Sequence, residues 1–77
     1  MTIKELDCVV LTADLTDEGL KAGDVGTVVL IHNAGAAYEV EFITLAGNTV
    51  ALATVDATKL RPVSERDLSH VREVQPA

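Results

Sequence analysis

The chain has 77 residues, with twelve acidic against six basic side chains for a net charge of −6, and only 3% of its residues are aromatic. That length holds one domain and excludes a second core; a chain this short buries only about 60% of the surface it exposes when unfolded. The negative balance repels phosphate backbones and anionic lipid, and one Tyr, one Phe and no Trp leave almost no stacking platform for single-stranded nucleic acid.

Cys8 is the sole cysteine, so an intrachain disulfide is excluded and a reducing, cytoplasmic setting is expected. The opening residues carry acids and no apolar h-region, which argues against a secretory signal. No apolar run approaches the roughly 20 residues of a membrane helix.

In chain order, residues 7–13 predict a first strand, Val-rich and closed by polar residues. Residues 14–22 read as a loop, with Asp17 and Gly19 as turn formers and Leu15 and Leu20 pinning it to the body of the domain. Glycine can take φ > 0 or let another backbone approach closely, so Gly23 marks a turn and Gly26 a bulge or sharp bend. The second strand, 25–32, is apolar on both faces. Thr27, Val29 and Ile31 share one face and Val28 and Leu30 the other, and the pattern leaves open which of them points inward.

Asn33-Ala34-Gly35-Ala36 supplies a hairpin turn. Residues 37–43 show the cleanest alternation, sending Tyr38, Val40 and Phe42 to the core and Glu39 and Glu41 outward. After a turn at Leu45-Ala46-Gly47-Asn48, residues 49–55 form a fourth strand with Val50 and Leu52 as the expected inward pair. Residues 56–58 suggest a short turn of 3₁₀ type. Pro62 then holds 59–63 extended. The segment 64–77 reads as a strand or a turn: Ser64 resembles a helix cap, a short edge strand over 70–74 is the favoured reading, and Pro76 and Ala77 are expected to fray.

Short strands, tight turns and almost no helix signal predict an all-β fold, a small antiparallel SH3-like barrel of about five strands with at most one helical turn. An OB-fold usually has longer strands and a helix between the third and fourth. The whole chain, 1–77, is expected to be one barrel domain.

The runs Leu6-Asp7-Cys8-Val9-Val10-Leu11, Gly19-Leu20-Lys21-Ala22-Gly23-Asp24-Val25-Gly26-Thr27-Val28-Val29 and Tyr38-Glu39-Val40-Glu41-Phe42 resemble a bacterial family of short proteins, the domain-of-unknown-function family number 4926. Leu60-Arg61-Pro62-Val63 and His70-Val71-Arg72 are similar to its C-terminal end. More loosely, the Gly-Asp-x-Gly turn entering a Val-rich strand resembles SH3-like barrels of ribosome-associated, nitrile hydratase β-type and photosystem accessory proteins. The resemblance implies the fold, a bacterial origin and a companion encoded by a neighbouring gene. It brings no catalytic or binding residues with it.

The candidate chemistry is sparse. Cys8, His32 and His70 are too few and too scattered for a structural zinc site, so Cys8 is expected to be a buried structural residue and both histidines surface ones. Asp7 beside Cys8 disfavours a reactive thiolate. Gly23 and Gly26 open a strand rather than a helix, which argues against a phosphate loop. Asp14, Asp17, Glu18 and Asp24 cluster in one loop but lack the alternating pattern of a calcium loop. They and the outward pair Glu39 and Glu41 are the expected partner-binding residues. Those two glutamates also read as guards against strand pairing with another chain.

These features predict a non-enzymatic interaction module without cofactor or metal. Its acidic loop and strand face would bind a basic partner protein, in an antitoxin-like or subunit-like accessory role. The alternative is an RNA- or ribosome-associated module using Lys59, Arg61, Arg66 and Arg72, although interspersed acids dilute that basic region. Charge segregation between the two ends also allows copies to pair head to tail.

Overall fold

A computed structural model describes residues 2–75, so the expectation for Pro76 and Ala77 lies outside the described residues. Five antiparallel strands build one sheet: β1 (Cys8–Leu11), β2 (Val25–His32), β3 (Ala37–Ile43), β4 (Thr49–Asp56) and β5 (Leu60–Pro62). Their order is β4-β3-β2-β1-β5. Among the described residues the helical pieces are isolated 3₁₀ turns at Thr16–Glu18, Asn33–Gly35 and Ala57–Lys59. The last of these turns the chain so that β5 lies beside β1, curling the sheet into the expected SH3-like barrel, open between β4 and β5.

The core forms where the alternation of β3 meets the inward residues of its neighbours. Tyr38, Val40 and Phe42 are buried as expected, packed with Val9, Leu11, Val28, Val55 and Leu60. Leu20 reaches this cluster from the β1–β2 loop, and Leu15 packs against it. Cys8 takes the outward register at the start of β1 and is exposed, not buried, because Val9 and Leu11 hold the inward positions.

Two register shifts decide which residues face inward. In β2, a bulge between Val28 and Leu30 inserts Val29 without a partner on β3. Val28 is therefore fully buried, Val29 and Leu30 face solvent, and Ile31 returns to the core's edge. In β4, Phe42 pairs with Ala51 while Ile43 pairs with Thr49, leaving Val50 as the extra residue. The inward set becomes Ala51, Ala53 and Val55, opposite Phe42, Val40 and Tyr38. Leu52 is turned out at 56% exposure, which overturns its expected inward position, while Val50 packs at the core's margin.

Gly26 corrects another expectation. It is absent from the glycines with positive φ and pairs regularly with Val9, so it is neither a bulge nor a left-handed bend. Its role is close approach. A Cβ there would stand 2.5 Å from Val40 Cγ1, 2.9 Å from Phe42 Cε1 and 3.0 Å from the Glu41 carbonyl oxygen.

The tail departs from the favoured edge strand. Ser64 and Asp67 close a turn through an Asp67 N–H to Ser64 O bond of 3.1 Å, and residues 67–75 run without regular structure. Side-chain ion pairs, described below, hold this segment in place of a backbone ladder.

The close packing around Gly26 predicts that Gly26→Ala destabilises the protein by about 1–3 kcal/mol through overpacking. A chemical-denaturation midpoint equal to wild type would show that the sheet relaxes freely there. The hairpin gives the opposite sign: Ala34 sits at φ 56°, ψ 32°. A left-handed alanine is strained by roughly 1–2 kcal/mol, and glycine adds back about 0.4–1 kcal/mol of unfolded-state entropy cost. Ala34→Gly should therefore raise stability, and a lowered midpoint would contradict that strain.

Candidate functional site

The β1–β2 loop is built as a braced platform. Leu15 and Leu20 exchange backbone hydrogen bonds of 3.0 and 3.1 Å across its neck. Beyond the neck the 3₁₀ turn Thr16–Glu18 ends at Gly19, whose φ of 71° lets its N–H reach Thr16 O at 3.1 Å. Asp14 Oδ1 accepts the Ala22 N–H at 2.8 Å, and Asp24 Oδ2 accepts the Lys21 N–H at 2.8 Å. Two of the four loop acids thus brace the backbone. Asp17 and Glu18 stand exposed at the tip, with no hydrogen bond or ion pair to their side chains among the described residues.

Asp24 has a second partner that no local pattern announces. Arg72, 48 positions later, lays its guanidinium along the carboxylate, with Nε donating to Oδ1 at 2.8 Å and Nη2 to Oδ2. Nη2 also donates to Gly19 O at 3.3 Å. Burial alone would raise the Asp24 carboxyl. The Arg72 hydrogen bond, the Lys21 amide and the charges of both residues outweigh it, so the group ends below its ordinary value. The charge complementarity expected between copies is met here inside one chain.

The strand acids lie on the outer face of the sheet. Glu39, opposite Leu30 and Thr54, accepts the Thr54 hydroxyl at 2.6 Å and lies 3.1 Å from His32 Nε2. The Thr54 hydrogen bond, then that of His32, hold its carboxyl below the usual range. His32 is half-buried by this contact, whereas His70 is exposed. Glu41, opposite Thr27 and Leu52, accepts the Thr49 hydroxyl at 3.0 Å. Since Val10 and Val25 pair beside the loop, Glu41 sits nearer its acids than Glu39 does. No hydrogen bond joins the two acidic groups among the described residues.

The basic segment is partly neutralised by its own surroundings. Arg61 forks onto Asp67, with Nη1–Oδ2 at 2.9 Å and Nη2–Oδ1 at 2.7 Å, and Asp67 also accepts the Ser64 N–H at 2.7 Å. The Arg61 hydrogen bonds, then the Ser64 amide, push the Asp67 carboxyl far below its ordinary value. Arg72 is held by Asp24. Lys59 and Arg66 are left exposed without a side-chain partner among the described residues.

Between the tail and the barrel runs an open groove of about 640 Å³, walled by Leu20, Val25, Phe42, Ile43 and Val50 and roofed by Val71. Ser69, His70 and Glu73 border it, but no hydrogen bond links them, so no nucleophile–base pair is assembled there. No group of three or more His, Cys, Asp or Glu side chains among the described residues is placed to hold a metal ion.

A family model described as Domain of unknown function (DUF4926) matches residues 5–62, well over half the chain. The chain belongs to the DUF4926 family. No curated protein and no solved structure matches it. The matched segment contains all five strands of the DUF4926 barrel and ends at the last residue of β5, so the tail that carries Asp67 and Arg72 lies beyond it.

The Asp24–Arg72 pair has a pH signature. A carboxyl depressed below its ordinary 3.8 contributes stability above that value and loses it as pH falls through the folded pKa. Arg72→Ala removes the dominant downward pull while burial remains, so the Asp24 carboxyl should titrate at higher pH in the variant. A ¹³C titration of the side-chain carboxyl checks this, and an unchanged midpoint would mean the two groups do not pair in solution.

Proposed function

We propose that this DUF4926 barrel is a non-enzymatic, cytoplasmic interaction module that presents an acidic surface to a basic partner protein. The observation that supports this reading best is the contrast within the β1–β2 loop. Its neck is fixed by reciprocal backbone bonds and by Asp14 and Asp24, yet its tip leaves Asp17 and Glu18 without partners. Charges held on a rigid support lose little conformational freedom when a partner's lysine or arginine docks. Glu41 and Glu39 extend the negative surface along the sheet, flanked by the exposed Leu30 and Leu52. The partner's identity is left to its charge: a basic surface, such as that of a neighbouring gene's product, bound as a subunit or an antitoxin binds.

The RNA-binding alternative draws less support. Of its four cations, Arg61 and Arg72 already sit against carboxylates, and phosphate would have to displace them while meeting a net charge of −6.

Immobilised full-length protein should capture a lysine- and arginine-rich protein from extract at low salt and release it as salt shortens the screening length. The double variant Asp17→Lys, Glu18→Lys should lose that capture by tenfold or more with its denaturation midpoint unchanged. Equal capture by the variant would remove the loop tip from the surface. Salt-sensitive retention of RNA, lost on replacing Lys59 and Arg66, would favour the alternative.

A further inference from the structure

β4 and β5 are the two edges of the sheet, and they are built differently. β5 has three residues, one of them Pro62 without an N–H and another the charged Arg61. Those are recognised devices for blunting an edge. β4 has eight residues, Thr-Val-Ala-Leu-Ala-Thr-Val-Asp, with no proline, no cation and a single acid at its end. Glu39 and Glu41, expected to discourage strand pairing, lie on the interior strand β3 and cannot guard this edge.

The direction of its free backbone groups follows from the register. Ala57 N–H donates to Ala36 O at 3.0 Å, and these residues continue the β3–β4 pairing in step with Ala37–Asp56. Hydrogen-bonded and non-bonded pairs alternate in an antiparallel ladder. Val55, Ala53 and Ala51 therefore bond to β3, and the N–H and C=O groups of Leu52, Thr54 and Asp56 point away from it. The Asp56 C=O accepts from the Lys59 N–H in the 3₁₀ turn Ala57–Lys59, whereas the Asp56 N–H and both backbone groups of Leu52 and Thr54 meet no other hydrogen bond among the described residues.

We propose that this edge pairs with β4 of a second copy of the chain, antiparallel about a two-fold axis through Thr54. Thr54 then lies opposite the same residue of the second copy, and Leu52 opposite Asp56. Thr54 exchanges both backbone bonds with its counterpart and each Asp56 N–H meets a Leu52 C=O, while Thr–Thr is a favourable cross-strand pair and no like charges face each other. Leu52, 56% exposed on the outer face, gains cover. Self-complementarity favours a second copy over a foreign strand, since one sequence satisfies both sides of the axis. The net charge of −6 on each copy opposes the encounter at long range, so screening strengthens this association. Capture of a basic partner responds to salt in the opposite sense.

Sedimentation equilibrium of the full chain, up to low-millimolar concentration, tests this across about 0.01 M to about 1 M salt, where the screening length falls from about 30 to about 3 Å. The average mass should climb toward twice the monomer, more readily at high salt. Concentration-dependent amide shifts should centre on Leu52, Thr54 and Asp56. Thr54→Pro deletes one outward N–H without touching the bonds to β3, and Thr54→Lys sets two lysines against each other; each should weaken association at least tenfold. A wild type that stays monomeric throughout, a dimer that salt dissolves, or variants that both associate as wild type does would each overturn the proposal.

Discussion

The fold depends on how near β2 can come to β3 at Gly26. With only hydrogen there, the backbone settles against Val40, Phe42 and the Glu41 carbonyl closely enough that any side chain would have to displace part of the core. That contact brings the middle of the sheet together where it must coil, and β1 follows because Val9 pairs with Gly26 directly. β5 then pairs with β1. A tight fit suits a domain whose core is one cluster with few large side chains, because packing at interior density must supply what sheer buried area cannot.

Charge is distributed with similar economy. Asp14 and Asp24 serve the loop's backbone, Glu39 and Glu41 accept threonine hydroxyls, and Arg61 and Arg72 each close a fork on an aspartate. Among the acids left unengaged, Asp17 and Glu18 stand together at one 3₁₀ turn, while Glu5, Asp56, Glu65 and Glu73 are scattered along the chain. An acidic protein therefore need not offer all its acids to a partner, and the surface available for recognition is narrower than composition suggests.

Much of this architecture was legible in the chain. The alternation Tyr38, Val40, Phe42 against Glu39, Glu41 has a strong period, and tight turns bracket it. The inward face of β4 was not legible, because a bulge at Val50 shifts the phase and the residues that then face inward include Ala51 and Ala53, whose small side chains carry little hydropathy contrast. Gly26 was recognisable as special, but sequence could not distinguish a need for positive φ from a need for space. The Asp24–Arg72 pair joins residues 48 apart on elements with no shared period. Its only trace was the separation of negative and positive charge along the chain.

Beyond Asp67 no backbone ladder fixes the chain. From Leu68 onward no backbone N–H of the described residues donates a hydrogen bond. Position and protection are thereby uncoupled: deuterium would replace those amide protons almost as fast as in an unstructured peptide, although two guanidinium forks hold the segment in place. A method that equates slow exchange with order would end the molecule at β5, where the family's shared barrel also ends.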